Sequence, residues 1–237
     1  MNHSDRQKAL RDCYVFSTLS ADVISKLASN CTEQSYSKGQ EIFAISDEAD
    51  GLRILLNGVV RVWISDEEGR ELTVGLLEAG DSLGEIALFD ELPRTASATA
   101  IEATHCPFLR SASINDLINH DPLFARQIIL VLCEILRRNT EEMGAVMFLN
   151  LEERLAQKLQ ILAVSHADIA DNQARFHRKF SQTDLARMLG VSREAVNKRL
   201  TSFTQQGLIE VKGGYLTILD IRGLARKNRP AHKYEPT

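Results

Sequence analysis

The pattern of the chain changes at Asp121-Pro122. Upstream, from Glu33 to Arg110, short apolar runs such as Leu52 to Leu56 and Val59 to Ile64 are punctuated by glycines, which reads as strands joined by tight turns. Downstream no glycine occurs until Gly144 and no proline until Pro230, and Leu132, Leu136, Asn139, Met143 and Val146 recur at spacings of 4, 3, 4 and 3. That recurrence is a coiled-coil seam, so a long helix pairing with a second copy of itself is expected. The opposite face, with Phe124, Ile128, Val131 and Ile135, is expected to pack on the strands. The architecture is therefore an antiparallel β-roll followed by a dimerising helix.

Within the roll, Gly58 is read as a turn and Asp66-Glu67-Glu68-Gly69 as a hairpin turn, with Glu71 to Leu77 as the return strand. Trp63 is expected in the core. Asn150 is a candidate cap at which the long helix breaks and a second, Leu151 to Val164, begins. This break is the expected hinge between domains.

A net charge of −4 conceals an asymmetry. From Asp171 onward there are 13 basic and 6 acidic residues, whereas the first 170 residues hold 15 basic and 26 acidic. A basic C-terminal part points to a polyanionic partner, since each phosphate contact releases counterions and so adds affinity. The four cysteines, Cys13, Cys31, Cys106 and Cys133, are scattered, so reduced thiols and no metal site are expected. Without an apolar run of membrane-spanning length or a secretory leader, a cytoplasmic protein with no membrane partner is expected.

The basic part carries the most specific local signal. Ser181 caps a helix with Asp184 as its box partner, Gly190 ends that helix, and Ser192 caps the next. On the second helix Val196, Leu200 and Phe203 would face a core with Leu185 and Leu189. Arg193, Glu194, Asn197 and Lys198 fall on the other face near the N-terminus, where a recognition helix meets base edges in the major groove. Candidate DNA-binding residues are thus Ser181, Thr183, Ser192, Arg193, Glu194, Asn197 and Lys198. Gly207 to Ile218 reads as a two-stranded wing around Gly213-Gly214. Arg222, Arg226, Lys227, Arg229 and Lys233 could touch the phosphate backbone. No nucleophile elbow, metal motif or Gly-rich nucleotide loop supports an enzyme.

Gly80-Asp81-Ser82-Leu83-Gly84-Glu85-Ile86-Ala87-Leu88-Phe89 followed by Pro93-Arg94-Thr95-Ala96 resembles the phosphate-binding cassette of cyclic-nucleotide-binding domains. With the long helix and Ser192-Arg193-Glu194, the chain resembles the CRP/FNR (catabolite activator) family over nearly its whole length. The resemblance implies an α+β chain with three parts. These are a cyclic-nucleotide-binding β-roll (1–120), a dimerisation helix and hinge (121–150) and a winged helix-turn-helix (151–237). It also implies a homodimer on a palindromic double-stranded DNA operator, with RNA polymerase as a further partner.

In that cassette the backbone amides of Gly84, Glu85, Ile86 and Ala87 would cradle a cyclic phosphate and Arg94 would supply the countercharge. By resemblance Glu85 accepts the ribose 2′-hydroxyl, Thr95 donates to phosphate or base, and Asn139 and Thr140 stand where catabolite activators have Thr-Ser touching adenine. The effector implied is cAMP, with cGMP as the alternative. Asn197 and Lys198 replace a glycine and an arginine of the founding member, which implies a different half-site. Three other readings stay open: a regulator of the same fold that senses redox state or a gas, one that needs no ligand, and a cyclic-nucleotide-binding subunit that acts on a protein partner.

Overall fold

The computed structural model of the chain describes residues 2–227. The chain divides between Leu136 and Arg137 into two compact units.

The first unit opens with α1 (His3–Asp12) and α2 (Ala21–Asn30), capped by Asn2 and Ser20. Eight strands follow: β1 (Thr32–Tyr36), β2 (Glu41–Phe43), β3 (Gly51–Ile54), β4 (Val60–Ser65), β5 (Glu71–Leu77), β6 (Ser82–Leu83), β7 (Ser97–Ala100) and β8 (Thr104–Arg110). A short helix, α3 (Glu85–Asp90), lies between β6 and β7, and α4 (Ser111–His120) follows β8. The strands form two antiparallel four-stranded sheets, ordered β1-β8-β3-β6 and β2-β7-β4-β5. Leu55, just past the end of β3, and Leu83 of β6 meet Val60, Val62, Ala98 and Phe43 from the second sheet, closing the roll around an apolar filling.

The back of the first sheet is covered by helices. Leu52, Ile54 and Leu109 pack with Leu10, Ile24 and Leu27 and with Phe124, Ile128 and Val131 of α5 (Pro122–Phe148). The face of α5 expected to rest on the strands does so, and Ile135 continues it. Its other face leaves Leu132, Leu136, Met143 and Val146 exposed, the last three by more than half. Asp66 organises the β4-β5 turn by accepting from the Glu68 and Arg70 amides, and Gly69 takes a left-handed φ of 76°.

Trp63 departs from expectation. It is half-buried, not core, because Val60 and Val62 take the inner face of β4 and the two-residue period puts Arg61 and Trp63 outside. There the indole Nε1 donates to Thr99 Oγ1 at 3.0 Å and the Arg61 guanidinium lies 5.0 Å from the ring centre. Cys13, Cys31 and Cys106 are buried and Cys133 is exposed.

The second unit contains α6 (Leu151–His166), α7 (Gln182–Leu189), α8 (Arg193–Gln205) and α9 (Ile221–Ala225). Asn150 caps α6 in a reciprocal box with Glu153, and α6 runs two residues beyond the expected Val164. Asn150→Ala is expected to lower stability by about 1 kcal/mol, the usual worth of such a cap, measured as a lower midpoint in urea. Buried Leu155, Leu159, Leu185, Leu189, Val196, Leu200 and Phe203 make up the helical core.

The wing is larger than expected. Besides β11 (Ile209–Lys212) and β12 (Tyr215–Ile218), the strands β9 (Ala167–Ala170) and β10 (Gln173–Phe176) join to give the order β11-β12-β10-β9. The β9-β10 turn is Asp171-Asn172, both at positive φ (48° and 67°), which short polar side chains tolerate. Among the described residues no helix is long and apolar enough to cross a membrane, and no cluster of His, Cys, Asp or Glu could hold a metal ion.

Candidate functional site

The first site forms where β6 runs into α3. Gly84 caps α3 in a left-handed conformation (φ 97°), and a Cβ there would collide with the Arg94 guanidinium. Only glycine lets that guanidinium lie against the start of the helix. Arg94 itself is clamped at its backbone, its N–H donating to Asp47 O and its carbonyl accepting from Ser46 N, both at 2.8 Å.

The Arg94 side chain is 2% exposed. Its Nη1 donates to Gly84 O at 2.7 Å, and its Nη2 donates to Asp50 Oδ1 at 2.6 Å and Gly51 O at 3.0 Å. The Phe43 ring lies beneath it, 4.4 Å away at the centroid. Nε is buried without a hydrogen-bond partner among the described residues. An orphaned donor on a buried cation is costly unless something anionic completes it.

Asp50 went unremarked in the sequence. It accepts two bonds from buried Arg53, at 3.0 and 2.6 Å, as well as one from Arg94. Partial burial works to raise its pKa, but hydrogen bonds and charge from Arg53 and Arg94 outweigh this and hold the carboxyl below its usual value. An Asp whose folded pKa is depressed adds stability above its unfolded pKa of about 3.9, lost as pH falls through the lower folded value. Asp50→Asn should therefore melt below the parent at neutral pH, and that gap should close as pH drops below about 4. Thermal melts of both chains across the acid range check this.

The structure places the expected cradle residues as follows. Glu85 and Ile86 are half-buried in the first turn of α3, Ala87 is buried behind them, and Thr95 is exposed beside Arg94. Gly84, Glu85 and Arg94 come together in the first unit. Asn139 and Thr140 lie on α5 within the second unit, both exposed.

The second site is the α7-α8 pair. Ser181 accepts from Asp184 N at 3.1 Å while Asp184 accepts from Ser181 N at 2.9 Å, Gly190 takes φ 64°, and Ser192 accepts from Ala195 N at 3.2 Å. These caps fix both helix ends. Arg154 of α6 adds a bond to Leu189 O at 2.5 Å, tying the end of α7 to the helix behind it. Ser181, Thr183, Ser192, Arg193, Glu194, Asn197 and Lys198 are all exposed.

Beside Asn197, α8 and the wing bound a cleft of about 280 Å³ that Thr201, Thr204, Val211 and Gly214 also line. Gln182, the first residue of α7, went unremarked in the sequence. It bonds both Arg193 and Asn197. Of the basic tail, Arg226 pairs with Asp220 and Lys227 with Glu152, while Arg229 and Lys233 lie outside the described residues.

Two family models match the chain, one over each site. Residues 33–121 match the cyclic nucleotide-binding domain and residues 148–227 the Crp-like helix-turn-helix domain. The chain belongs to the CRP/FNR family of transcription regulators. It is 28% identical over 215 residues to the CRP-like cAMP-activated global transcriptional regulator of Mycobacterium tuberculosis, covering 91% of this chain and 96% of the relative. It is 28% identical over 203 residues to the cAMP-activated global transcriptional regulator Vfr of Pseudomonas aeruginosa, covering 84% of this chain and 94% of Vfr.

Its fold matches the c-di-GMP-responsive global regulator CLP of Xanthomonas campestris, with a TM-score of 0.73 at 21% identity over 85% of this chain and 99% of CLP. The CRP/FNR family consists of DNA-binding transcription regulators, not enzymes, that usually act as dimers. This member is a cyclic-nucleotide-responsive DNA-binding regulator.

Proposed function

We propose that this CRP/FNR regulator is a cytoplasmic homodimer whose operator binding is switched by cAMP. The observation that carries the reading is Arg94, a buried guanidinium held against the left-handed start of α3 with Nε unsatisfied. A cyclic phosphate carries one negative charge and presents oxygens that a guanidinium matches better than a lysine would. The α3 amides from Gly84 to Ala87 face the same anion, and Glu85 takes the ribose 2′-hydroxyl. The cAMP-activated relatives favour adenine over guanine as the base. Thr95, beside Arg94, is the feature that favours cGMP instead.

In the dimer, Leu132, Leu136, Asn139, Met143 and Val146 form the seam, with Asn139 fixing its register. Asn139 and Thr140 serve both seam and effector, so a nucleotide bound there prefers one of two helix arrangements and shifts the population toward it. Two recognition helices then enter successive major grooves about 34 Å apart on a two-fold operator. Arg193, Glu194, Asn197 and Lys198 read bases, while Ser181, Thr183 and Ser192 hold phosphates.

Calorimetric titration with cAMP and cGMP side by side, coupled to operator binding with and without each, tests the reading. Tighter binding of cAMP and a gain in operator affinity are expected. Equal operator affinity with and without both nucleotides overturns the switch.

A further inference from the structure

We infer that Gln182 decides which bases the recognition helix accepts, by fixing the direction in which Asn197 presents its amide. The inference rests on the reading of α8 as the recognition helix. Arg193 opens α8, and Asn197 follows four residues later on the same side of it. Gln182 reaches both from the start of α7. Its Oε1 accepts from Arg193 Nε at 3.3 Å, and its Nε2 donates to Asn197 Oδ1 at 2.8 Å.

The direction of this relay has a single origin. A guanidinium has only donors, so the group of Gln182 that faces Arg193 must be its carbonyl. The Gln182 amide nitrogen then faces Asn197, and Asn197 must meet it with its own carbonyl. What Asn197 has left for a partner is Nδ2, with two N–H groups. A free asparagine pairs with adenine through both ends of its amide, accepting from N6 and donating to N7. With Oδ1 turned toward Gln182, the end of the Asn197 amide that faces away from it is Nδ2, so Asn197 presents donors to a base. It suits the acceptors of guanine and thymine, meets adenine at N7 alone, and discriminates against cytosine, whose major-groove edge offers only the N4 donor. Arg193, with Nε engaged, keeps both Nη groups for guanine.

Gln182→Glu reverses the relay. A carboxylate accepts from Arg193 Nε and also from Asn197 Nδ2, so the Asn197 amide turns over and presents Oδ1 outward. Glutamate is welcome in the first turn of a helix and Gln182 is half-buried, so the variant keeps the fold. Gln182→Leu removes the relay without imposing a direction.

The test is selection of a randomised double-stranded DNA library by the full-length chain, in saturating cAMP and without nucleotide, for the parent and both variants. At one position in each half-site the parent should deplete cytosine. Gln182→Glu should enrich a donor-bearing base there, cytosine or adenine, with a shift in relative preference of about tenfold. Gln182→Leu should level the preference at that position and leave the others unchanged. A base profile identical to the parent's in both variants, even with uniformly weaker binding, overturns the relay while leaving α8 as the reader. Failure of the parent to enrich any sequence overturns the DNA reading and the relay with it.

Discussion

Arg94→Ala is expected to reduce cyclic-nucleotide affinity by about 10²–10⁴-fold. Nε is the open donor, and a phosphate that also displaces one partner of Nη2 gains two charge-assisted hydrogen bonds, each worth about 1.5–3 kcal/mol, where every 1.4 kcal/mol is a factor of ten. The variant also loses the Arg94 bonds to Gly84 O, Gly51 O and Asp50, so part of its effect is structural. Arg94→Lys separates the two contributions. It retains the charge as a single point and cannot fork, so it should fall between the parent and alanine. Calorimetry with cAMP measures all three, and an alanine variant that binds like the parent would remove Arg94 from the effector site.

The second large effect is expected on α5. Leu136 and Met143 are each 66% exposed, which leaves two large apolar side chains in water unless another chain covers them. Burying each stabilises association by about 1.5–3 kcal/mol, and the dimer buries both pairs. Leu136→Glu combined with Met143→Glu replaces that gain with four facing carboxylates. The double variant should sediment as a monomer. Its operator affinity should fall by about 10²–10⁴-fold, because the second half-site is no longer held at high effective concentration. A variant that stays dimeric at micromolar concentration would place the seam elsewhere.

The parts of this molecule that were legible in the sequence are those that local chemistry decides. Ser181, Gly190 and Ser192 are where the caps and the left-handed turn need them, and three residues locate two helices without tertiary information. The two faces of α5 were likewise readable from spacing alone. Trp63 was misplaced because its type suggested burial, whereas the strand period and the acceptor at Thr99 decided its face.

β9 and β10 escaped where the equally short β11 and β12 did not, because no glycine brackets them or marks their turn; the signal that could have found them was Asp171-Asn172. Asp50 was unreadable for a different reason. Its pairing with Arg94 spans 44 residues and exists only once β3 and the α3-β7 loop are folded together. Gln182 is the same kind of case, joining α7 to α8 across 11 and 15 residues.

The cysteines have a practical consequence for all of these measurements. Burial pushes the Cys13 and Cys106 thiols up to about 12 and Cys31 to about 11, so near neutral pH these three remain protonated and slow to react. Cys133, exposed on α5 beside Leu132, is the remaining thiol. A maleimide dye added to the unmodified chain should therefore attach at one position per protomer. Two such dyes across a paired helix would report assembly by excimer emission or self-quenching, with no engineered cysteine.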